Sequence, residues 1–181
     1  GEQVPPQRVL HLVYPRGTKF DQTTAKRKRN CTASDEEITT GGVAACPSRS
    51  QVGAGNGTLF LGLLGTWSVD VSLFTARPGF ALVIAAESGT VLRVIRMSVD
   101  GNEVEGSIPE SAPLPGGYQP ALTQFFLRTE ESGTAKHPGL RTPKRCPKSG
   151  RWKFTYLPEY VEPYGVQRST STMPCRRSHR R

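Results

Sequence analysis

The sequence predicts an all-β fold: a disulfide-stapled β-sandwich, immunoglobulin-like or jelly-roll in topology, with one short helix. Segments of strand length follow one another at short intervals, which is typical of sandwiches. The 19 glycines and 15 prolines among 181 residues interrupt the chain too often for long helices. The 4 cysteines form an even set, and they lack the Cys-x-x-Cys spacing of zinc and redox sites.

The first predicted strand, residues 9–14, is mostly apolar and ends at a Pro-x-Gly turn over residues 15–17. Ser34 is a good helix cap, and Glu37 follows three residues later, which is the spacing of a capping box. Gly41 and Gly42 then end the predicted helix. We therefore expect one short helix between the first two cysteines.

Glycines alternate with other residues at the start of the next predicted strand, and leucines continue the alternation to residue 63. Alternate residues of a strand lie on one face, so these glycines predict a close-packing face that another backbone can approach. The spacing is not that of a nucleotide-binding loop, and no helical pattern follows it. The face consists of Gly53, Gly55 and Gly57.

Seven further strands are predicted from alternating or apolar segments. Residues 80–85 are apolar on both faces, as in a central strand, and the dipeptide at 100–101 is a strong hairpin turn. The predicted strands cover residues 66–74, 80–85, 91–99, 102–108, 122–128, 151–156 and 164–172.

The basic charge is concentrated at the end of the chain. Residues 136–181 contain twelve of the 24 basic residues but only two of the 15 acidic ones, so this segment favours polyanions or an acidic partner surface. We divide the chain into an extended N-terminal arm (1–7), a single β-sandwich domain (8–175) and a basic C-terminal tail (176–181).

Basic and aromatic residues alternate in the strand at 151–156, and two interpretations are open. The aromatic rings could stack on sugars or bases while the basic groups meet charges. Alternatively, the rings belong to the core and the basic groups face water. The candidate polymer- or partner-binding residues of this strand and of the tail are Arg151, Trp152, Lys153, Tyr156, Arg176, Arg177, Arg180 and Arg181.

No catalytic constellation is visible in the sequence. His11 lies in a strand, and the other two histidines, His137 and His179, lie in a loop and in the tail, without a nucleophile elbow nearby. Glu103 and Glu105 share one face next to a turn, as solvated hairpin residues do. We therefore expect a protein that is not an enzyme and that uses no cofactor or metal.

Three pairings of the four cysteines are possible. We expect Cys31 to pair with Cys46 and Cys146 with Cys175, because each bridge then closes a short loop. Loops of these sizes would each stabilise the fold by roughly 3–4 kcal/mol in the chain-entropy description. Disulfides of this kind are typical of secreted proteins, whereas four free thiols would indicate a cytosolic one.

The chain contains two cysteine-bounded boxes. They are Cys31-x14-Cys46-Pro47-Ser48-x-Ser50-x-Val52-Gly53-x-Gly55 and Cys146-Pro147-Lys148 … Trp152-x-Phe154-x-Tyr156 … Ser169-Thr170-Ser171-Thr172-x-Pro174-Cys175. These boxes resemble those of uncharacterised secreted β-rich proteins of actinobacteria. The resemblance implies export, two local disulfides and a β-sandwich, and it carries no activity.

These observations predict a secreted, non-enzymatic structural or interaction protein at the cell surface. Its expected partners are copies of itself in an extracellular filament or surface layer, with the N-terminal arm laid along a neighbouring copy as an added strand. The alternative is a monomeric binding module for an anionic polymer such as cell-wall glycopolymer, polysaccharide or extracellular DNA. No apolar run approaches the roughly 20 residues of a membrane span, so we expect no span.

Overall fold

A computed structural model describes residues 5–20, 30–110, 114, 117–129, 133–134, 137–138, 140–141, 143 and 145–175. The fold is all-β with one short α-helix, which confirms the predicted class. The helix is α1 (Asp35–Gly41), and three 3-10 turns cover Gly42–Ala45, Ser48–Ser50 and Gly62–Leu64. The strands are β1 (Gln7–Val13), β2 (Lys19–Phe20), β3 (Gln51–Phe60), β4 (Thr66–Thr75), β5 (Phe80–Ala86), β6 (Val91–Asp100), β7 (Glu103–Ser107), β8 (Ala121–Thr129), β9 (Gly133–Thr134), β10 (His137–Pro138), β11 (Leu140–Arg141), β12 (Arg151–Tyr156), β13 (Glu159–Tyr160) and β14 (Ser169–Pro174).

The main sheet has the strand order β14-β12-β1-β7-β6-β5-β4-β3-β8, and β13 also pairs with β1. Strands β3 to β7 pair consecutively and antiparallel, so each short turn returns the chain to the neighbouring strand. The sheet curls into a half-barrel and does not clearly form the two stacked layers of the predicted sandwich. Consecutive hairpins explain this difference, because they keep the chain within one sheet. Two small sheets, β2 with β11 and β9 with β10, complete the described strands.

The concave face of the half-barrel contains the larger hydrophobic core. Because side chains alternate along a strand, every second residue of β4, β5 and β6 points to this face. Aromatic and aliphatic side chains from β1, β8 and β12 pack against them. The buried members of this core are Leu10, Val52, Val69, Val71, Leu73, Phe80, Leu82, Ile84, Ile95, Met97 and Val104.

Strand β5 is buried along its whole length, as the sequence predicted for a central strand. Its second face belongs to a smaller core on the convex side, where Val83 and Phe74 pack with Ile38 of α1. Helix α1 is therefore the cover of this part of the convex face, and its one buried side chain is Ile38.

The helix begins as predicted, with a capping box. The backbone N–H of Glu37 donates to Ser34 Oγ at 3.1 Å, and the backbone N–H of Ser34 donates to Glu37 Oε2 at 2.7 Å. Arg96 of β6 fixes the first turn to the sheet, because its Nε donates to Asp35 Oδ1 at 2.6 Å. The capping contacts also lower the pKa of Glu37.

Both predicted disulfides are present. The bridge between Cys31 and Cys46 is buried in the smaller core and encloses α1. The bridge between Cys146 and Cys175 is half-buried and joins the segment before β12 to the residue after β14. The two bridges therefore fix the helical cover and the outermost strand to the rest of the sheet.

The glycine face lies on the concave side, and the backbone that approaches it is β8 of the same chain. A Cβ atom added at Gly57 would lie 2.8 Å from the carbonyl oxygen of Gln124, and one at Gly55 would collide with the carbonyl oxygen of Phe126. The predicted continuation to residue 63 is wrong, because β3 ends at Phe60 and a 3-10 turn follows.

The ends of the chain also differ from the predicted division. Gln7, assigned to the N-terminal arm, is buried and begins β1, and the carbonyl of Pro6 accepts a hydrogen bond from the backbone of Val161 at 3.1 Å. The last extended segment forms β14 over Ser169–Pro174 rather than starting at residue 164. Residues 1–4 of the arm and the tail 176–181 lie outside the described residues.

We expect the substitution Gly55→Ala to reduce the free energy of unfolding by about 3 kcal/mol, at the upper end of typical overpacking costs. The added methyl group has no space beside the backbone of β8. Urea unfolding measures the effect. Gly41→Ala is the matched control, because a Cβ there meets only Ala45 at 3.5 Å. Equal stability of the two variants would contradict the tight approach of β8 to β3.

We expect a mild reductant to open the Cys146–Cys175 bridge before the Cys31–Cys46 bridge. Thiol–disulfide exchange requires a thiolate to reach a sulfur atom, and Cys31 and Cys46 are only 1% and 4% exposed. Timed reduction followed by alkylation and peptide mass spectrometry gives the order. Earlier alkylation of Cys31 and Cys46 would show that the helical cover opens more easily than the edge of the sheet.

Candidate functional site

The two ends of the half-barrel interior are filled to different extents. At one end, Phe20 packs edge-on against Tyr14 and Phe80, with ring centroids 5.0 and 5.6 Å apart. Only about 10 Å³ of empty space remains among these side chains. Burial raises the pKa of Tyr14 to about 12, because the apolar surroundings disfavour the phenolate. This end is a packed core.

The other end contains a cavity of about 700 Å³. This volume lies within the range of roughly 300–1,000 Å³ that is usual for small-molecule sites. Most of the described residues that line it are apolar. Its walls come from β3, β5, β6 and β8 and from the segment after β7, and they include Leu59, Ile84, Leu92, Ile95, Ile108 and Leu122.

A β-bulge shapes one wall of the cavity. In the pairing of β5 with β6, Arg93 lies opposite Ile84, whereas Val91 lies opposite Ala85. Leu92 is therefore an extra residue on β6, and both Leu92 and Arg93 line the cavity. Bulges of this kind redirect side chains next to binding sites.

Arg93 is a cation among the aliphatic residues of β5 and β6 that line the cavity. Its side chain is half-buried, and its Nη1 donates a hydrogen bond to the carbonyl oxygen of Pro109 at 2.9 Å. Burial lowers the pKa of Arg93, because the surroundings disfavour the charged form. Among the residues that the structure describes, no carboxylate lies within ion-pair distance of Arg93.

The rim of the cavity has a charged side and an apolar side. Arg8 and Glu110 form an exposed ion pair with 3.5 Å between the nearest atoms. Trp67 and Leu64 also line the cavity, and they are 45% and 54% exposed. Large apolar side chains that are both exposed and next to an apolar cavity are characteristic of a binding site.

Strand β12 does not bring its predicted binding residues onto one face. Trp152 and Tyr156 are half-buried, and Tyr156 packs against the concave core, whereas Arg151 and Lys153 are exposed. The phenol of Tyr156 donates to Gln7 Oε1 at 2.8 Å, and burial raises its pKa. The aromatic and basic groups therefore lie on opposite faces of β12, and their role in polymer or partner binding stays a prediction.

The outer end of β12 pairs with β14. Arg151 Nε donates to Thr172 Oγ1 at 3.0 Å across these strands. Arg176, Arg177, Arg180 and Arg181 lie outside the described residues. Polymer binding by these basic groups therefore stays a prediction.

The structure brings His11 together with the two hairpin glutamates. His11 Nε2 lies 2.9 Å from Glu103 Oε2, and its Nδ1 lies 3.7 Å from Glu105 Oε2. The three side chains lie across the β1–β7 pair, on the face opposite the large core. In the described part of the chain, no group of three or more histidine, cysteine, aspartate or glutamate residues is arranged to hold a metal ion.

The sequence signal for Arg93 is its position in an alternating strand. Arg93 alternates with Ile95, Met97 and Val99, so a charged residue occupies the apolar face of a strand. A charge on a core face is an informative exception. The cavity itself has no sequence signal, because its walls come from segments far apart in the chain.

Comparisons with protein-family models, curated proteins and solved structures gave no match for this chain. The resemblance to secreted actinobacterial proteins therefore stays a prediction. No helix within the described residues has the length and apolar character needed to cross a membrane.

Proposed function

We propose that this is a secreted, non-enzymatic binding protein that takes up a small, largely apolar molecule in its half-barrel. The observation that supports this function is the cavity of about 700 Å³ at one end of the concave face. The opposite end is filled by aromatic rings, with about 10 Å³ left empty. The packed core at one end of the half-barrel stabilises the same strands that form the walls of the cavity at the other end.

The energetic basis of binding is the removal of apolar wall from water. Each Å² of apolar surface removed from water contributes roughly 25 cal/mol. One wall includes Ile84 of β5, a strand that is buried along its whole length. A site that keeps its shape without ligand loses little conformational freedom on binding.

The two disulfides support the secreted part of the proposal, because such bridges persist in oxidising compartments. The protein would then meet its ligand outside the cytoplasm, where sparingly soluble apolar molecules require a carrier or a receptor.

We expect the neutral dye Nile red to bind with one saturable site per chain and to become fluorescent. Leu92→Trp adds a ring to the cavity wall and should weaken binding by about tenfold, since steric overlap typically costs 1–3 kcal/mol. Leu63→Trp is the matched control, because Leu63 is 72% exposed and is not among the lining residues.

Fluorescence titration measures both affinities, and urea unfolding confirms that the variants fold. If Nile red shows no saturable binding to the wild type, the proposed function is wrong. An equal loss of affinity in the Leu92→Trp and Leu63→Trp variants would show that the dye binds the outer surface and not the cavity.

A second candidate function is self-association into a filament or layer, and the two edge strands support it. Within the described residues, β8 pairs only with β3 and β14 only with β12. Strand β14 carries no charged residue and β8 carries one, although charges are a common protection of exposed edges. Pairing of β8 in one copy with β14 in the next would continue the sheet as an open filament.

We expect Phe126→Lys to reduce any self-association, because Phe126 lies on edge strand β8 and is 62% exposed. Leu63→Lys, an exposed leucine outside both edge strands, is the control. Light scattering over a concentration series and negative-stain electron microscopy measure the assembly. A wild type that stays monomeric at every concentration, without fibres, would exclude this candidate.

A further inference from the structure

We infer that Arg93 is an anion anchor and that the ligand is an amphipathic oxyanion, whose apolar body fills the cavity while its carboxylate pairs with the guanidinium. This inference rests on the proposed function and names its ligand class. A fatty carboxylate is the simplest molecule with this chemistry.

Arg93 lies on β6 beside Leu92 and opposite Ile84, so its guanidinium shares a wall with aliphatic side chains. A neutral apolar ligand would leave this cation desolvated against hydrocarbon, which is unfavourable. An apolar ligand with an anionic end removes that penalty.

An arginine has five N–H donors in a planar fork. The guanidinium of Arg93 makes one hydrogen bond to the described residues, from Nη1 to the carbonyl oxygen of Pro109. The surrounding protein lowers the pKa of this group through burial, so the charge is partly removed from water. The fork geometry matches a carboxylate, which accepts two parallel hydrogen bonds.

Glu110 is the one carboxylate among the described residues that line the cavity, and its partner is Arg8 at 3.5 Å. Both members of that pair are exposed, with 86% of the Glu110 side chain accessible to solvent. The rim pair therefore neutralises itself, and Arg93 is left as the cation for the ligand.

The test compares dodecanoate with dodecan-1-ol as competitors of Nile red. The two molecules share the alkyl chain and differ at the anionic end. We expect the wild type to bind dodecanoate about tenfold more tightly, as hydrogen bonds between charged groups usually provide. Arg93→Gln should abolish this preference, so that dodecanoate and dodecan-1-ol displace Nile red at similar concentrations.

Arg93→Lys should retain part of the preference, because it preserves the charge without the fork. Arg16→Gln is the control outside the cavity, because Arg16 is exposed and is not among the lining residues, and it should leave the preference intact. If Arg93→Gln fails to fold, the Arg93→Lys variant and the wild-type comparison of acid and alcohol still show whether Arg93 binds the anionic end of the ligand.

The possible results distinguish a failure of this inference from a failure of the proposed function. Equal affinity of the wild type for acid and alcohol, or an unchanged preference in Arg93→Gln, would contradict the role of Arg93 as anion anchor. If Nile red still binds in that case, the proposed binding function of the cavity stands. A wild type that binds no Nile red overturns both. Dye binding that falls as the protein dimerises would identify a second copy as the occupant and would also overturn the ligand class.

Discussion

The fold depends on how closely β8 approaches β3, because this approach gives the sheet its curvature at one side. Glycines on the concave side of β3 leave the space that a Cβ atom would occupy, so the backbone of β8 can lie over them. A larger residue at Gly55 would have to push Phe126 away. Without this close approach the sheet would be flatter, and its apolar concave face would lack a facing wall.

The interior of the half-barrel is filled at one end and empty at the other, and the size of the side chains at each end is the cause. Aromatic rings at Tyr14, Phe20 and Phe80 fill one end. At the other end the strands carry aliphatic residues, and the volume between them stays open. Packing at the closed end stabilises the half-barrel, while the open end retains apolar surface and one partly desolvated cation. Such a local violation of the usual patterning is expected where a protein binds something.

Local features of the fold were readable from the sequence. The capping box over Ser34 and Glu37, the fully apolar strand β5 and the pairing of each cysteine with its near neighbour are all present in the structure. Each depends on contacts between residues close in sequence or on alternation within one strand. The end of β3 was predicted wrongly, because the alternating leucines beyond Phe60 continue the strand pattern while the chain forms a 3-10 turn there.

The sequence by itself determined the all-β class, the short helix and the central position of β5, and it favoured the two local disulfides among three possible pairings. Only the tertiary structure decided that these strands form one curled sheet and that a cavity remains at one end of it. It also decided that Arg151 and Lys153 are solvated while Arg93 faces the cavity. The physical reason is that curvature and empty volume arise from non-local contacts, such as that between Gly55 and Phe126, which no periodicity along the chain records.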